Sequence, residues 1–225
     1  MPSVSNLAAQ TLQRQIFSSQ YKAGTALPPQ RELCERMGIS RASLREAISM
    51  LEALGLLRSH PGKGVFVTAG ARPSPDDLPT GPRAMSPAII YQLRFVFEPA
   101  NASLAAQRGK TVDLTQLKDS LSGMQVALST CDLVTASEND LRFHLLIAEL
   151  SGNPGLLDIA EQFKAQLAFS LRLPFADRTH LWQPFDEHRT ILDAIVAGNA
   201  RKARSAMQQH LLAASNRVGI SFTQP

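Results

Sequence analysis

Apolar and polar positions along the chain fall into two regimes, divided by a proline-rich stretch. Leu7, Leu12 and Ile16 recur at helical spacing and predict a first helix over about residues 7–19. Gly24 and the Pro28-Pro29 pair break the helical period after it. A second helix is predicted from about Gln30 to Met37, a tight turn at Gly38-Ile39, and a third helix from about Arg41 to Leu54. Ser40 is placed to cap the third helix, because its hydroxyl can accept from a backbone N–H that has no partner within the helix. Gly55, tolerant of positive φ, ends it. Residues 56–67 read as two short extended runs around Pro61-Gly62-Lys63-Gly64, a β-hairpin with a basic tip.

Between Ala69 and Pro87 stand Pro73, Pro75, Pro79, Pro82 and Pro87, with Gly70 and Gly81. Proline removes a donor and keeps its predecessor out of the helical region, so this stretch is expected to be a linker. From about Ala88 the period is helical to the end. Helices are expected over 88–108, 113–129, 133–151, 155–172, 184–197 and 200–217. Their breaks fall at Gly109, Thr130-Cys131-Asp132, Gly152-Asn153-Pro154, Pro174 and Gly198-Asn199. The resulting fold class is mainly α. A winged helix-turn-helix (residues 1–69) is joined by a Pro-rich linker (70–87) to an all-α helical bundle (88–219).

Composition fits that reading. A chain of 225 residues suits two small domains. Apolar residues make up 44% and aromatics only 6%, so the cores must be built from Leu, Ile, Val and Ala, which favours helices. The net charge of +4 is unevenly spread: residues 1–70 hold eight Lys/Arg against four Asp/Glu, and the remainder holds fifteen of each. All the excess positive charge sits in the first third, as expected if that third meets phosphates. Cys34 and Cys131 stand far apart and form no CxxC pattern, so a disulfide framework is not indicated and a reducing cytoplasm is the simplest setting. Neither a signal segment nor an apolar run long enough for a membrane span is expected.

On the third helix, Leu44, Ala47, Ile48, Leu51 and Leu54 cluster on one side, at about 100° per residue. Arg41, Arg45 and Ser49 fall on an adjoining side together with Ala42. Small neighbours let such a helix sit deep in a groove, and an arginine fork matches guanine O6/N7 or a phosphate. Two exposed arginines could equally serve only to solubilise an amphipathic helix. The short preceding helix, the turn and a wing tipped by Lys63 favour the DNA-reading interpretation.

A second constellation lies in the C-terminal half. Asp140 and His144 stand four apart, one turn apart on a helix face. His188 lies in the next-to-last predicted helix and His210 in the last, and the short Gly198-Asn199 break makes these two an antiparallel hairpin. One Asp and three His form a candidate site for Zn²⁺, with Ni²⁺, Mn²⁺ or Fe²⁺ as alternatives. The plainer reading is that each His is an ordinary polar residue and that Asp140 and His144 share a simple hydrogen bond. All three histidines lie in apolar stretches, where burial without partners is costly. His60 reads as a wing residue and His180 as a loop residue.

The strings "AGTALPPQRELCERMGISRASLREAISMLEALGLL" and "PGKGVFV" make residues 10–67 resemble the winged helix-turn-helix of the GntR family. That resemblance implies that Arg31, Arg41, Ser43 and Arg45 contact double-stranded DNA, and that the Gly62-Lys63-Gly64 wing enters a minor groove. Residues 88–217 resemble the FCD ligand-binding domain of the family's FadR-type branch. Its pattern implies that Asp140, His144, His188 and His210 ligate a metal beside which a small organic acid binds. The acyl-CoA-binding members lack the full metal set, which argues against a fatty acyl-CoA effector here. Arg94 matches a family arginine that could clamp the acid, or it could form a structural ion pair with Glu98; Arg142, Arg172 and Asn216 are weaker effector-binding candidates. The resemblance implies a cytoplasmic homodimer on a palindromic operator, acting as a repressor of a catabolic operon and not as an enzyme. The proline-rich linker, and Trp182 and Pro184 ahead of His188, depart from the family pattern. Two other functions remain open on the residues alone. One is a metal-dependent enzyme using Glu187 or Glu149 as base, although neither lies in a known catalytic motif. The other is a regulator that senses the metal itself.

Overall fold

Short polar side chains start most of the helices. In the computed structural model, which describes residues 3–68 and 85–224, Ser3 accepts from the N–H of Asn6 at the start of α1 (Val4–Phe17). Ser40 does the same for Ser43 at the start of α3 (Arg41–Ala53), as the sequence predicts. Between them α2 (Gln30–Met37) ends at Gly38 in the left-handed region, φ 63°. Strands β1 (Leu57–His60) and β2 (Gly64–Val67) pair antiparallel in the register Leu57↔Val67 to His60↔Gly64. Gly62 (φ 71°) and Gly64 (φ 112°) supply the positive φ that the hairpin turn needs. The core of this unit is Leu12, Leu33, Leu44, Ala47, Leu51, Leu54, Leu56 and Val67.

The linker expectation falls mainly on residues 69–84, outside the described residues. Pro87 opens α4 (Pro87–Arg108), where its missing N–H costs nothing. The remaining helices are α5 (Thr115–Ser129), α6 (Leu133–Leu150), α7 (Pro154–Gln162), α8 (Lys164–Arg172), α9 (Gln183–Val196) and α10 (Ala200–Arg217). Helix α4 is the axis of the bundle and packs on α6, α8, α9 and α10. Pro99 lies inside α4 and is itself buried; the helix runs through it because neighbours hold it on several sides.

The structure departs from the sequence reading at two places. Leu7 is exposed, and α1 instead buries Ala8, Ala9, Leu12 and Gln13. Small residues are required there because α1 is packed on α3 on one side and on α6 on the other. The helix expected over 155–172 is two helices, broken at Phe163 (φ −97°, ψ 10°). No Gly or Pro marks that break; α7 packs on α6, whereas α8 turns to reach α3, α4 and α6.

The first unit docks directly on the bundle. The Gln13 carboxamide oxygen accepts from the N–H of Leu133 (3.0 Å) and Val134 (3.2 Å), the first residues of α6. Its amide nitrogen donates to Asp132, and Gln10 donates to Thr135 at 2.7 Å. Gln13 therefore satisfies helix-start donors from another part of the chain, a role usually taken by a local cap.

Candidate metal centre and nucleic-acid interface

Three bundle helices bring their polar residues to one buried point. Asp140 and His144 come from α6, His188 from α9 and His210 from α10, and all four are at most 4% exposed. The helical periods of the sequence set this up, since each residue sits on the inward face of its own helix. His144 Nε2 lies 3.2 Å from His188 Nε2 and 3.3 Å from Asp140 Oδ1, and His188 Nε2 lies 3.4 Å from Asp140 Oδ1. One ligand atom from each of the three histidines falls within 4.8 Å of the others. Two donors bound to one tetrahedral zinc, each at ~2.1 Å, lie about 3.4 Å apart, so these separations match the edges of a coordination shell. Asp140 Oδ1 and His210 Nε2 are buried and find no hydrogen-bond partner among the described residues. Buried polar atoms without partners are rare in folded proteins, and an ion among them would satisfy both. The donor set fits a divalent cation.

Each of two histidines is backed by a carboxylate and an arginine. Glu98 Oε2 lies 2.8 Å from His144 Nδ1, out of line for a good hydrogen bond, and Arg94 Nε donates to Glu98 Oε1 at 2.8 Å. Glu187 Oε2 meets His210 Nδ1 at 2.7 Å, and Arg217 grips Glu187 through both terminal nitrogens at 2.6 and 2.9 Å. His188 has no such partner; its ring stacks on Phe143 at 4.5 Å. Burial alone would push the Glu98 carboxyl up, but Arg94 and His144 outweigh it and bring it down to about 2. Glu187 is likewise held low against its burial, by hydrogen bonds from His210 and Arg217. Burial, reinforced by the neighbouring imidazoles and Arg94, lowers His188 well below the usual imidazole range. His210 is lowered chiefly by burial, against the pull of Glu187. Burial also opposes charging of His144, but Glu98 and Asp140 prevail and move it up. Neutral rings at 188 and 210 keep a lone pair for a cation.

The other expected effector residues divide. Arg94 is 1% exposed and forms the ion pair with Glu98; it also donates to Ser170 Oγ at 3.3 Å, and Nη2 stands 3.5 Å from His144 Nε2. Both readings of Arg94 are thus compatible, a structural pair at the edge of the cluster. Arg142 is exposed and donates to Gln116, away from the cluster, because two positions beyond Asp140 is about 200° around the helix. Asn216 is exposed for a similar reason, being six positions beyond His210. Arg172 is half-buried with Glu138 and Glu46 as acidic neighbours, so it lies towards the first unit. The sequence reading missed Glu98 as more than a partner for Arg94, and missed Arg217 altogether. Arg217 lies seven positions beyond His210 and so on the same face, which was the available signal. Glu187, considered only as a base, is the outer partner of His210; Glu149 is exposed. His60 lies on the wing, as expected, whereas His180, expected in a loop, ends a single 3₁₀ turn over Arg178–His180 that Asp177 caps.

On the first unit, Leu44, Ala47, Ile48 and Leu51 are buried, while Arg41, Ala42, Arg45 and Ser49 are exposed along one side of α3. Ser43 is taken up by the helix cap: its N–H donates to Ser40 Oγ, and the two hydroxyls are 3.0 Å apart. Arg31 pairs with Glu35 at 3.0 Å, both largely in solvent, a pairing weak enough to be exchanged for a phosphate. Lys63 and both wing glycines are exposed, and the space beside each glycine is open.

A helix-turn-helix with a basic wing, carried on a helical bundle with a buried imidazole–carboxylate cluster, has the make-up of a DNA-binding regulator. The chain belongs to the gntR family of bacterial regulatory proteins: residues 4–67 match that family and residues 89–213 match the FCD domain. It is 33% identical over 216 residues to the Uxu operon regulator of Haemophilus influenzae, spanning 90% of this chain and 77% of that protein. It is 28% identical over 218 residues to the galactonate operon transcriptional repressor of Escherichia coli, spanning 92% and 93%. A GntR regulator from Rhodococcus sp. RHA1 shares the fold, with a TM-score of 0.57 at 23% identity over 96% of this chain and 98% of that one. These relatives are regulators and not enzymes, and the protein is a transcriptional regulator. No helix of the described residues is long and apolar enough to cross a membrane.

Proposed function

We propose that this regulator is a repressor whose operator affinity is set by a small organic acid bound beside a divalent metal, zinc first among the candidates. Asp140, His144, His188 and His210 would hold the ion. Bound in a five- or six-coordinate form, it would supply positive charge and, beyond the four protein ligands, open coordination positions for a carboxylate oxygen. Arg94, at the edge of the cluster, would add a second cationic contact to the acid. Arg31, Arg41, Ser43, Arg45 and the Gly62-Lys63-Gly64 wing would hold the DNA. Two copies would face a palindromic operator through a two-fold axis. The observation that carries this reading is the convergence of three buried histidines and Asp140 at coordination-shell spacing, with Asp140 Oδ1 and His210 Nε2 left unpartnered. The relatives support the ligand class, since galactonate is itself a hydroxy acid. The test is to load the purified protein with zinc, measure bound metal by mass spectrometry of the protein digest, and titrate it against operator DNA with and without hydroxy acids. About one zinc per chain, and operator release by at least one acid, is the expected result. A protein that holds zinc but keeps the same operator affinity with every acid would count against acid sensing.

A further inference from the structure

Five formally charged side chains surround the three imidazoles. Asp140, Glu98 and Glu187 are acidic; Arg94 and Arg217 are basic. No other Asp, Glu, Lys or Arg of the described residues is buried. Glu138 and Arg172, half-buried and towards the first unit, are mutual neighbours of opposite sign. With neutral imidazoles as ligands, the cluster therefore carries one net negative charge. A divalent cation turns that into one net positive charge, whichever of the candidate metals is loaded.

The charge matters because the site is buried. Arg94, Glu98 and Asp140 are at most 3% exposed, and His188 is fully buried. In such surroundings an uncompensated charge is far more costly than in water. One added negative charge makes the loaded site neutral, whereas two would leave it as unbalanced as before, with the opposite sign. We infer that the sensor site selects an acid with a single carboxylate and an otherwise uncharged body, and discriminates against the dicarboxylate of the same skeleton. The inference rests on the metal-binding reading above and narrows its ligand class.

One neutral group on α4 is suited to the rest of such a ligand. Asn101 is 1% exposed, stands three positions beyond Glu98 on the inward face, and both its amide oxygen and nitrogen find no partner among the described residues. A carboxamide offers a donor and an acceptor, which a hydroxyl satisfies and a second carboxylate does not.

The experiment uses the full chain loaded with zinc, its metal content measured beforehand. Calorimetric titration compares L-lactate with tartronate (hydroxymalonate) and D-gluconate with D-glucarate. The expected result is that in at least one pair the monocarboxylate binds tenfold or more tightly than its dicarboxylate. Equal or tighter binding of the dicarboxylate in every pair that binds would overturn the inference, and so would failure of all four acids to bind the zinc-loaded protein. A protein that takes up no zinc refutes the metal reading itself, a distinct outcome seen before any acid is added. Glu187→Gln removes one negative charge from a partly exposed position. At saturating zinc it is expected to shift the ratio of dicarboxylate to monocarboxylate affinity upward by tenfold or more. Loss of both affinities together, with the ratio unchanged, would mean that Glu187 acts only through structure and would count against the charge-balance argument.

Discussion

His144 and His210 are distinguished from His188 by what stands behind them. A ligating imidazole whose far nitrogen donates to a carboxylate is fixed in tautomer and made a stronger base, and loss of the carboxylate typically costs ten- to a hundredfold in metal affinity. Glu187→Ala is therefore expected to weaken zinc binding by roughly that factor, read by competition with a chromophoric chelator. Replacing exposed Glu149 by Ala serves as the control and should leave the affinity unchanged. Spacing put Asp140 and His144 on one helix face and offered His188 and His210 as candidates, but left the plainer polar reading open; the resemblance to the FCD domain singled out the four. The outer residues were harder to read. Asn216 and Arg217 differ by one position, yet one faces solvent and the other the Glu187 carboxylate. Only the phase of α10 relative to its neighbours decides between them, and that phase is a property of the packed bundle.

At the scale of elements, α6 joins the two halves. Its first N–H groups are satisfied by Gln13 of α1, and two turns later it presents Asp140 and His144 to the cluster. Gln13→Ala leaves the buried N–H of Val134 without a partner and that of Leu133 with only the Cys131 carbonyl, which costs about 1–3 kcal/mol. Urea denaturation should show a loss of that size. The same variant should keep its zinc affinity, since no ligand is touched, while acid binding should alter its operator affinity less than in the unmodified protein. Full retention of the acid response would show that α6 does not carry the signal through this joint. The pattern of apolar residues predicted α6, α4, α9 and α10 nearly to the residue. It did not predict the joint, because Gln13 reads as a polar residue on an amphipathic helix until α6 is set against it. Nor did it predict the break at Phe163, where tertiary contacts override a continuous helical period.

For the whole molecule, charge is segregated: the excess positive charge sits in the first third, and the remainder, which holds the buried cluster, is balanced. DNA affinity should therefore fall steeply with salt, through release of counterions from phosphates, while acid binding inside the bundle should be much less sensitive. Lys63→Ala on the wing should lower affinity for operator and unrelated DNA alike and reduce the salt slope by about one. Arg45→Ala on α3 should instead cost more on the operator than on unrelated DNA, about 1–3 kcal/mol if its fork reads a base. The two halves can influence one another only through a free energy of coupling, and that coupling is reciprocal. If saturating acid weakens the operator complex twentyfold, saturating operator must weaken acid binding by the same factor. Calorimetry with the acid, on the free protein and on the operator complex, measures one side of that cycle, and DNA titration with and without acid measures the other. Equal factors would close the cycle and show that acid and operator are coupled at equilibrium through the protein. A large effect on DNA with none on acid binding would mean that the acid acts on the DNA complex by another route, such as stripping the metal.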